Sequence, residues 1–273
     1  MGVRRWLMGL LSALTLGACT PEMLDETVWV GATMRFAQVG KPPEAEQVWI
    51  ERDGARIEGW FFPATRYRGR APVVLYFHGN AEWIDNTIYV ADTYRARGYA
   101  VLLTEYRGYG RSTGRPGAAT HAGDAVAFYD WLARRPDIDP RSIVIHGRSL
   151  GGSAAGGVLA AGRRPCAVVL ESTFTSLADA VASHGVDRAI AGGHLNTLQA
   201  VQRYPGPVLV LHGQTDELIP FTHGQVLGSA SATTRLVAFP GGHNPAAPWA
   251  ELMTAIDPFL RATPCAPTAR PVR

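Results

Sequence analysis

Ser149, Asp216 and His243 stand in that order along the chain, each just beyond a short apolar run, and these three residue types can carry out acyl transfer. A serine hydroxyl is a weak nucleophile until a base takes its proton, and the base works best when an acid fixes its orientation and stabilises its positive form. The stretch Arg141 to Gly152, RSIVIHGRSLGG, breaks from a β-branched run into Gly147-Arg148-Ser149-Leu150-Gly151, which reads as strand, sharp turn and helix with the serine at the apex. Gly147 and Gly151 remove the bulk that such a turn cannot hold. The Leu150 N–H, in the first helical turn, is left without a helical partner and can stabilise a developing oxyanion. A second Gly-x-Ser-x-Gly, Gly110 to Gly114, follows a polar loop and runs into Arg115-Pro116-Gly117, so Ser112 is read as a loop serine.

The partners come from later strand ends. Val208 to Leu211 reads as a buried strand, with His212 and Gly213 at its turn and Asp216 just beyond; Arg235 to Phe239 reads as another, followed by the glycine loop that carries His243. Other assignments stay open: Ser149 as an ordinary helix N-cap, Glu171 as the acid, and His212, His146 or His78 as the base. No metal-ligand spacing such as HExxH or paired cysteines is present, and no metal or cofactor is expected.

These residues need a sheet to converge on. Val48 to Glu51 and Arg56 to Phe62 read as two opening antiparallel strands, and Val73 to Phe77, Ala100 to Thr104, Ser142 to Ile145, Ala167 to Leu170, Val208 to Leu211 and Arg235 to Phe239 as six more. Helices are expected at Asp85 to Arg97, Thr120 to Arg134, Leu150 to Ala161, Thr222 to Gly228 and Pro245 to Leu260. That alternation predicts an α/β fold with a mostly parallel eight-stranded sheet flanked by helices. The segment Ser172 to Gly206 is too short for a separate cap and predicts a minimal lid of one or two small helices.

The order and context of these motifs resemble the α/β-hydrolase superfamily over Val48 to Leu260. YFHGNAE (Tyr76 to Glu82), EYRGYGRSTG (Glu105 to Gly114), GRSLGG, ESTFTS (Glu171 to Ser176), HGQTDELIPF and GGHN together resemble its Bem46 and ABHD13/ABHD17-like group. The resemblance implies a second oxyanion donor in His78-Gly79-Asn80-Ala81, assigned to the Asn80 N–H, with Ala81 next. It departs from the group at Glu82-Trp83 and at Glu105, where an aspartate is usual; both lie near the expected mouth of the site. The resulting expectation is an ester or thioester hydrolase acting through an acyl-enzyme on a small-molecule or lipid-like acyl substrate. A serine peptidase or amidase with the same triad is the alternative, and a non-catalytic envelope-binding lipoprotein on a hydrolase scaffold is a third reading.

The N-terminus has the pattern of an export signal: Arg4-Arg5, an apolar centre from Trp6 to Gly17, and Ala18-Cys19. Leu16 to Cys19 resembles a bacterial lipobox, which implies cleavage before Cys19, lipidation of that cysteine and a product anchored to the outer membrane facing the periplasm. The expected organisation is a signal at 1–18, a linker or N-terminal segment at 19–45, the hydrolase domain at 46–262 and a flexible tail at 263–273. Loss of Arg4 and Arg5 with the leader leaves 24 basic against 23 acidic residues, too even a balance for nucleic-acid binding. Cys166 and Cys265 would remain as a possible disulfide in an oxidising compartment, since the last helix runs back toward the sheet edge where Cys166 begins its strand.

Overall fold

Strand runs such as Val73-Val74-Leu75-Tyr76-Phe77 carry apolar residues on both faces, which only a sheet covered on both sides can bury. The computed structural model describes residues 28–34, 38–65, 67, 69–191, 194–244 and 249–267. Its strands are β1 (Glu46–Arg52), β2 (Ala55–Phe62), β3 (Ala71–Phe77), β4 (Ala100–Thr104), β5 (Ile138–Arg148), β6 (Ala167–Glu171), β7 (Val208–Gly213) and β8 (Thr234–Phe239). They form one eight-stranded sheet in the order β1-β2-β4-β3-β5-β6-β7-β8. β1 and β2 pair antiparallel, β2 meets β4 antiparallel, and every later pairing is parallel.

The helices are α1 (Ile88–Arg95), α2 (Ala118–Ala133), α3 (Leu150–Ala160), α4 (Leu177–Ala182), α5 (Arg188–Ala191), α6 (Thr197–Arg203), α7 (Phe221–Gly228) and α8 (Trp249–Arg261). Side-chain alternation divides the core in two. Val73, Leu75 and Phe77 face α2, α3 and the lid segment, with Phe128, Leu132, Ala154 and Val158 among their cluster. Val74 and Tyr76 face α1 and α8, with Tyr94, Met253 and Ile256. No helix among the described residues is long and apolar enough to cross a membrane.

The structure differs from the sequence expectations in several places. The helix expected over Asp85 to Arg97 is split into a 3₁₀ turn at Ile84–Asn86 and α1, because the Asn86 side chain accepts the Trp83 N–H and the Thr87 hydroxyl donates to the Ile84 carbonyl. Among the described residues the lid has three short helices, α4, α5 and α6, where one or two were expected; separate caps at Ser176 and Asn196 accept the Asp179 and Gln199 N–H groups. Within the expected linker at 19–45, Trp29 and Ala45 are buried, since a large aromatic ring gains more from the core than from water. The expected flexible tail from 263 is also corrected. Cys265 is buried and bonded to Cys166, which holds this stretch against the N-terminal end of β6. The signal at 1–18, Cys19, residues 245–248 of the last expected helix and the tail beyond 267 lie outside the described residues.

The Cys166–Cys265 bond closes a loop with a sequence separation of 99 residues. A loop of that length restrains the unfolded chain by roughly 4–5 kcal/mol on an entropic account. Replacing both cysteines by serine should therefore lower the thermal midpoint by more than about 10 °C, read by circular dichroism. The wild type should show the same loss on reduction, and the double variant should be indifferent to reductant.

Candidate active site

The site sits where β5, β6, β7 and β8 end. Ser149 adopts φ 52° and ψ −117°, a conformation non-glycine residues rarely hold. Three contacts sustain it. Its N–H donates to the Glu171 carbonyl at 2.8 Å, and its own carbonyl accepts from the Thr173 hydroxyl at 2.7 Å and the Gly152 N–H at 3.0 Å. At the flanks, a Cβ on Gly147 would overlap the Gly151 carbonyl, and one on Gly151 would overlap the Phe77 carbonyl at the end of β3. The two glycines are therefore demanded by close backbone approach.

The Ser149 Oγ lies 2.9 Å from His243 Nε2, and His243 Nδ1 lies 2.9 Å from Asp216 Oδ2. All three side chains are buried. Asp216 is fixed in turn by the Leu218 and Ile219 N–H groups, which donate to its Oδ1 at 2.9 and 2.8 Å. Burial pushes the Asp216 carboxyl up, but hydrogen bonds from His212 and His243 outweigh it and hold the group well below the usual carboxylate range. The loops are tied together. Gln214 donates to the Phe239 carbonyl and Thr215 to the Gly241 carbonyl, each at 3.0 Å, so Asp216 and His243 are held in one frame rather than on independent arms.

The rival residues fall elsewhere. Glu171 bonds His146 Nε2 at 3.2 Å and Arg148 Nε at 3.1 Å. His146 also meets the Tyr94 hydroxyl at 2.9 Å. His78 lies between Glu105 and the Gly79 carbonyl, and His212 Nε2 is bound by the Ile219 carbonyl at 2.8 Å. Ser112 accepts the Glu58 N–H at 3.0 Å, which fits a loop serine. Leu150 opens α3, and Asn80 lies on the loop after β3, whose Phe77 pairs with Gly147 of β5. Trp83 is buried in the core cluster that also holds Leu150.

The sequence reading passed over Arg148. The residue is 8% exposed, and its guanidinium reaches four groups on three elements: Glu82 Oε1 at 2.6 Å, Glu171 Oε1 at 3.1 Å, Asn244 Oδ1 at 2.6 Å and the His243 carbonyl at 3.4 Å. Burial disfavours its charge, but Glu82 and Glu171 more than compensate and raise its pKa. Glu82 Oε2 meanwhile accepts the Gly79 N–H at 2.6 Å. Arg148 thus joins the loops bearing Ser149, Asn80 and His243. The signal was present as the arginine inside GRSLGG and the acid that departs from the group pattern at Glu82; a pairing across 66 residues has no local periodicity to expose it.

A model of the family described as serine aminopeptidase, S33, matches residues 69–192. The uncharacterized Mycobacterium tuberculosis protein Rv2307c is 39% identical, over 74% of this chain and 73% of its own length. The Arabidopsis thaliana alpha/beta hydrolase domain-containing protein WAV2 is 33% identical, over 72% of this chain and 71% of its own. The chain belongs to the α/β-hydrolase superfamily. The Danio rerio lysophosphatidylserine lipase ABHD12 is 31% identical over 69% of this chain, which spans only 54% of that relative. Among solved structures, an alpha-beta hydrolase from Vibrio vulnificus superposes with a TM-score of 0.71 at 19% identity, covering 90% of this chain and 94% of its own. The Pyrococcus furiosus esterase Pf2001 does so at 0.69 and 19%, covering 83% and 97%. At these identities the structures speak to the α/β-hydrolase fold.

Glu171 provides a pH test. Burial raises its pKa, but bonds from His146 and Arg148 outweigh this and the net shift is downward, as for Asp216. A carboxyl lowered by folding adds stability that is present above its unfolded pKa, about 4, and is lost as pH falls through the folded value. The thermal midpoint should therefore drop as pH is taken from about 5 to 3. Glu171→Gln should flatten that acid slope and lower stability at pH 7 by roughly 3–5 kcal/mol, the cost of breaking a buried ion pair.

Proposed function

We propose that this protein is a serine hydrolase that cleaves a carboxylic ester or thioester through an acyl-enzyme. The reading rests on one observation, the unbroken hydrogen-bonded line from the Ser149 hydroxyl through the His243 ring to the Asp216 carboxylate, with Ser149 presented on a strained turn. His243 Nε2 takes the Ser149 proton as Oγ attacks the acyl carbonyl. The tetrahedral oxyanion is held by the Leu150 and Asn80 N–H groups, and the leaving alcohol or thiol departs with the proton returned by His243. Water then repeats the sequence on the acyl-enzyme and frees the acid. Asp216, kept ionised, stabilises the imidazolium formed in each half.

The same triad serves amide cleavage, and the serine aminopeptidase description of the matching family model favours that as the second reading. The similarity to the lysophosphatidylserine lipase ABHD12 supports a lipid-like acyl substrate. Localisation belongs to the same proposal: an exported envelope lipoprotein anchored through Cys19, a compartment in which the Cys166–Cys265 disulfide would persist. Cys19→Ser should move the protein from the membrane to the soluble fraction.

Fluorophosphonate labelling and hydrolysis of p-nitrophenyl acetate, butyrate and decanoate, set beside an aminoacyl-p-nitroanilide, test the reaction. Ser149→Ala should abolish labelling and reduce turnover by on the order of 10⁴-fold or more. Asp216→Asn should reduce kcat by about 10⁴-fold while the fold persists. Turnover of the anilide in preference to every ester would overturn the ester assignment, and a folded wild type that neither labels nor turns over any substrate would overturn the enzymatic reading.

A further inference from the structure

The segment ahead of β1 packs directly behind the loops that carry the two oxyanion donors. Trp29 is 3% exposed, with its ring centroid 4.9 Å from that of His121. Gly31 is enclosed so tightly that a Cβ there would overlap both the Tyr109 ring and the Asn80 carbonyl. The Tyr109 hydroxyl is hydrogen bonded by the Gly31 backbone and donates to Asn80 Oδ1 at 2.5 Å. Asn80 is therefore held at its side chain by Tyr109 and abutted at its carbonyl by Gly31.

The second donor is reached through the same cluster. His121 Nε2 lies 3.1 Å from the Ser153 hydroxyl, which donates to the Leu150 carbonyl at 2.7 Å. Burial, with His78 as the next cause, pushes the His121 pKa down to about 3, so the ring stays neutral. Tyr106 completes the cluster: its ring lies 5.0 Å from His121 and 4.4 Å from His78, and its hydroxyl donates to the His78 carbonyl at 2.6 Å. The Asn80 and Leu150 loops thus share one aromatic floor, closed on the N-terminal side by Trp29 and Gly31.

We propose that residues 28–34 form a positioning strap for the oxyanion hole, with Trp29 seating the aromatic floor and Gly31 setting the place of Asn80. The proposal deepens the serine-hydrolase reading and rests on it. The strap touches no reacting atom in this scheme. It acts through Tyr109 on Asn80 and through His121 and Ser153 on Leu150, so its loss should be felt where charge develops on the acyl oxygen rather than where substrate first binds.

The test uses the full chain bearing Gly31→Ala, Trp29→Ala or Trp29→Phe, with Val39→Ser, at an exposed position of the same segment, as the control. Three quantities are read for each: kcat and KM with p-nitrophenyl butyrate, inhibition by an aryl trifluoromethyl ketone whose hemiketal oxyanion fills the hole, and the thermal midpoint. Gly31→Ala and Trp29→Ala should lower kcat about tenfold or more and weaken the ketone by a similar factor, with KM within about twofold. Trp29→Phe should retain most of the activity, and Val39→Ser all of it. Unchanged kcat in Gly31→Ala would overturn the strap, as would a kcat loss without weaker ketone inhibition or one that merely follows the thermal midpoint. A folded wild type that neither turns over ester nor binds ketone or fluorophosphonate would overturn the hydrolase reading first, and the strap with it.

Discussion

A guanidinium taken out of water must be repaid by charge and hydrogen bonds, and at Arg148 that requirement organises the site. The residue precedes Ser149 in the chain, so its position is set by the same turn that lifts the serine. From there it draws in Glu82, Glu171, Asn244 and the His243 carbonyl. These contacts come from three places: the loop after β3, the end of β6 and the loop after β8. Because a buried charge left unpaired costs several kcal/mol, those loops are coupled: one cannot move away without exposing the penalty. Glu82 passes the constraint to the Gly79 N–H, beside Asn80.

The strained backbone of Ser149 is held by the ends of its neighbours. Glu171 uses its carbonyl on the Ser149 N–H and its carboxylate on Arg148, while Thr173 holds the Ser149 carbonyl. One short motif at the end of β6 thus serves both the turn and the charge network. Opposite it, the paired loops after β7 and β8 carry Asp216 and His243 as a unit, which keeps the imidazole aligned with less loss of entropy on reaching the reactive geometry.

The place where the chain enters the domain bears on the proposed anchoring. Gly31 touches the Asn80 loop only 12 residues after Cys19. Fully extended, that stretch reaches at most about 40 Å. A lipidated Cys19 would thus keep the candidate site within a membrane's near zone, where lipid-like acyl groups are concentrated.

Much of this was legible in the residues because it rests on local patterns. Period-two and continuous apolar runs mark strands, and all eight appear within a few residues of where they were read; the glycines around Ser149 mark the sharp turn, since only a missing Cβ permits such backbone approach. The strand ends offered Ser149, Asp216 and His243, with Glu171 and three other histidines as rivals. What needed the tertiary structure was everything between distant side chains. The choice of Asp216 over Glu171 as the partner of His243 depends on which loops meet, and Arg148 takes Glu171 away. Trp29 lies inside because the fold leaves an aromatic pocket for it beside His121, and the stretch around Cys265 is pinned by a partner 99 residues away. The sequence by itself determined the elements and the reactive residue types, through steric and hydrophobic preferences of neighbouring residues. Only the tertiary structure decided which charges, rings and loops share a burial site, because desolvation acts on groups brought together in space whatever their separation along the chain.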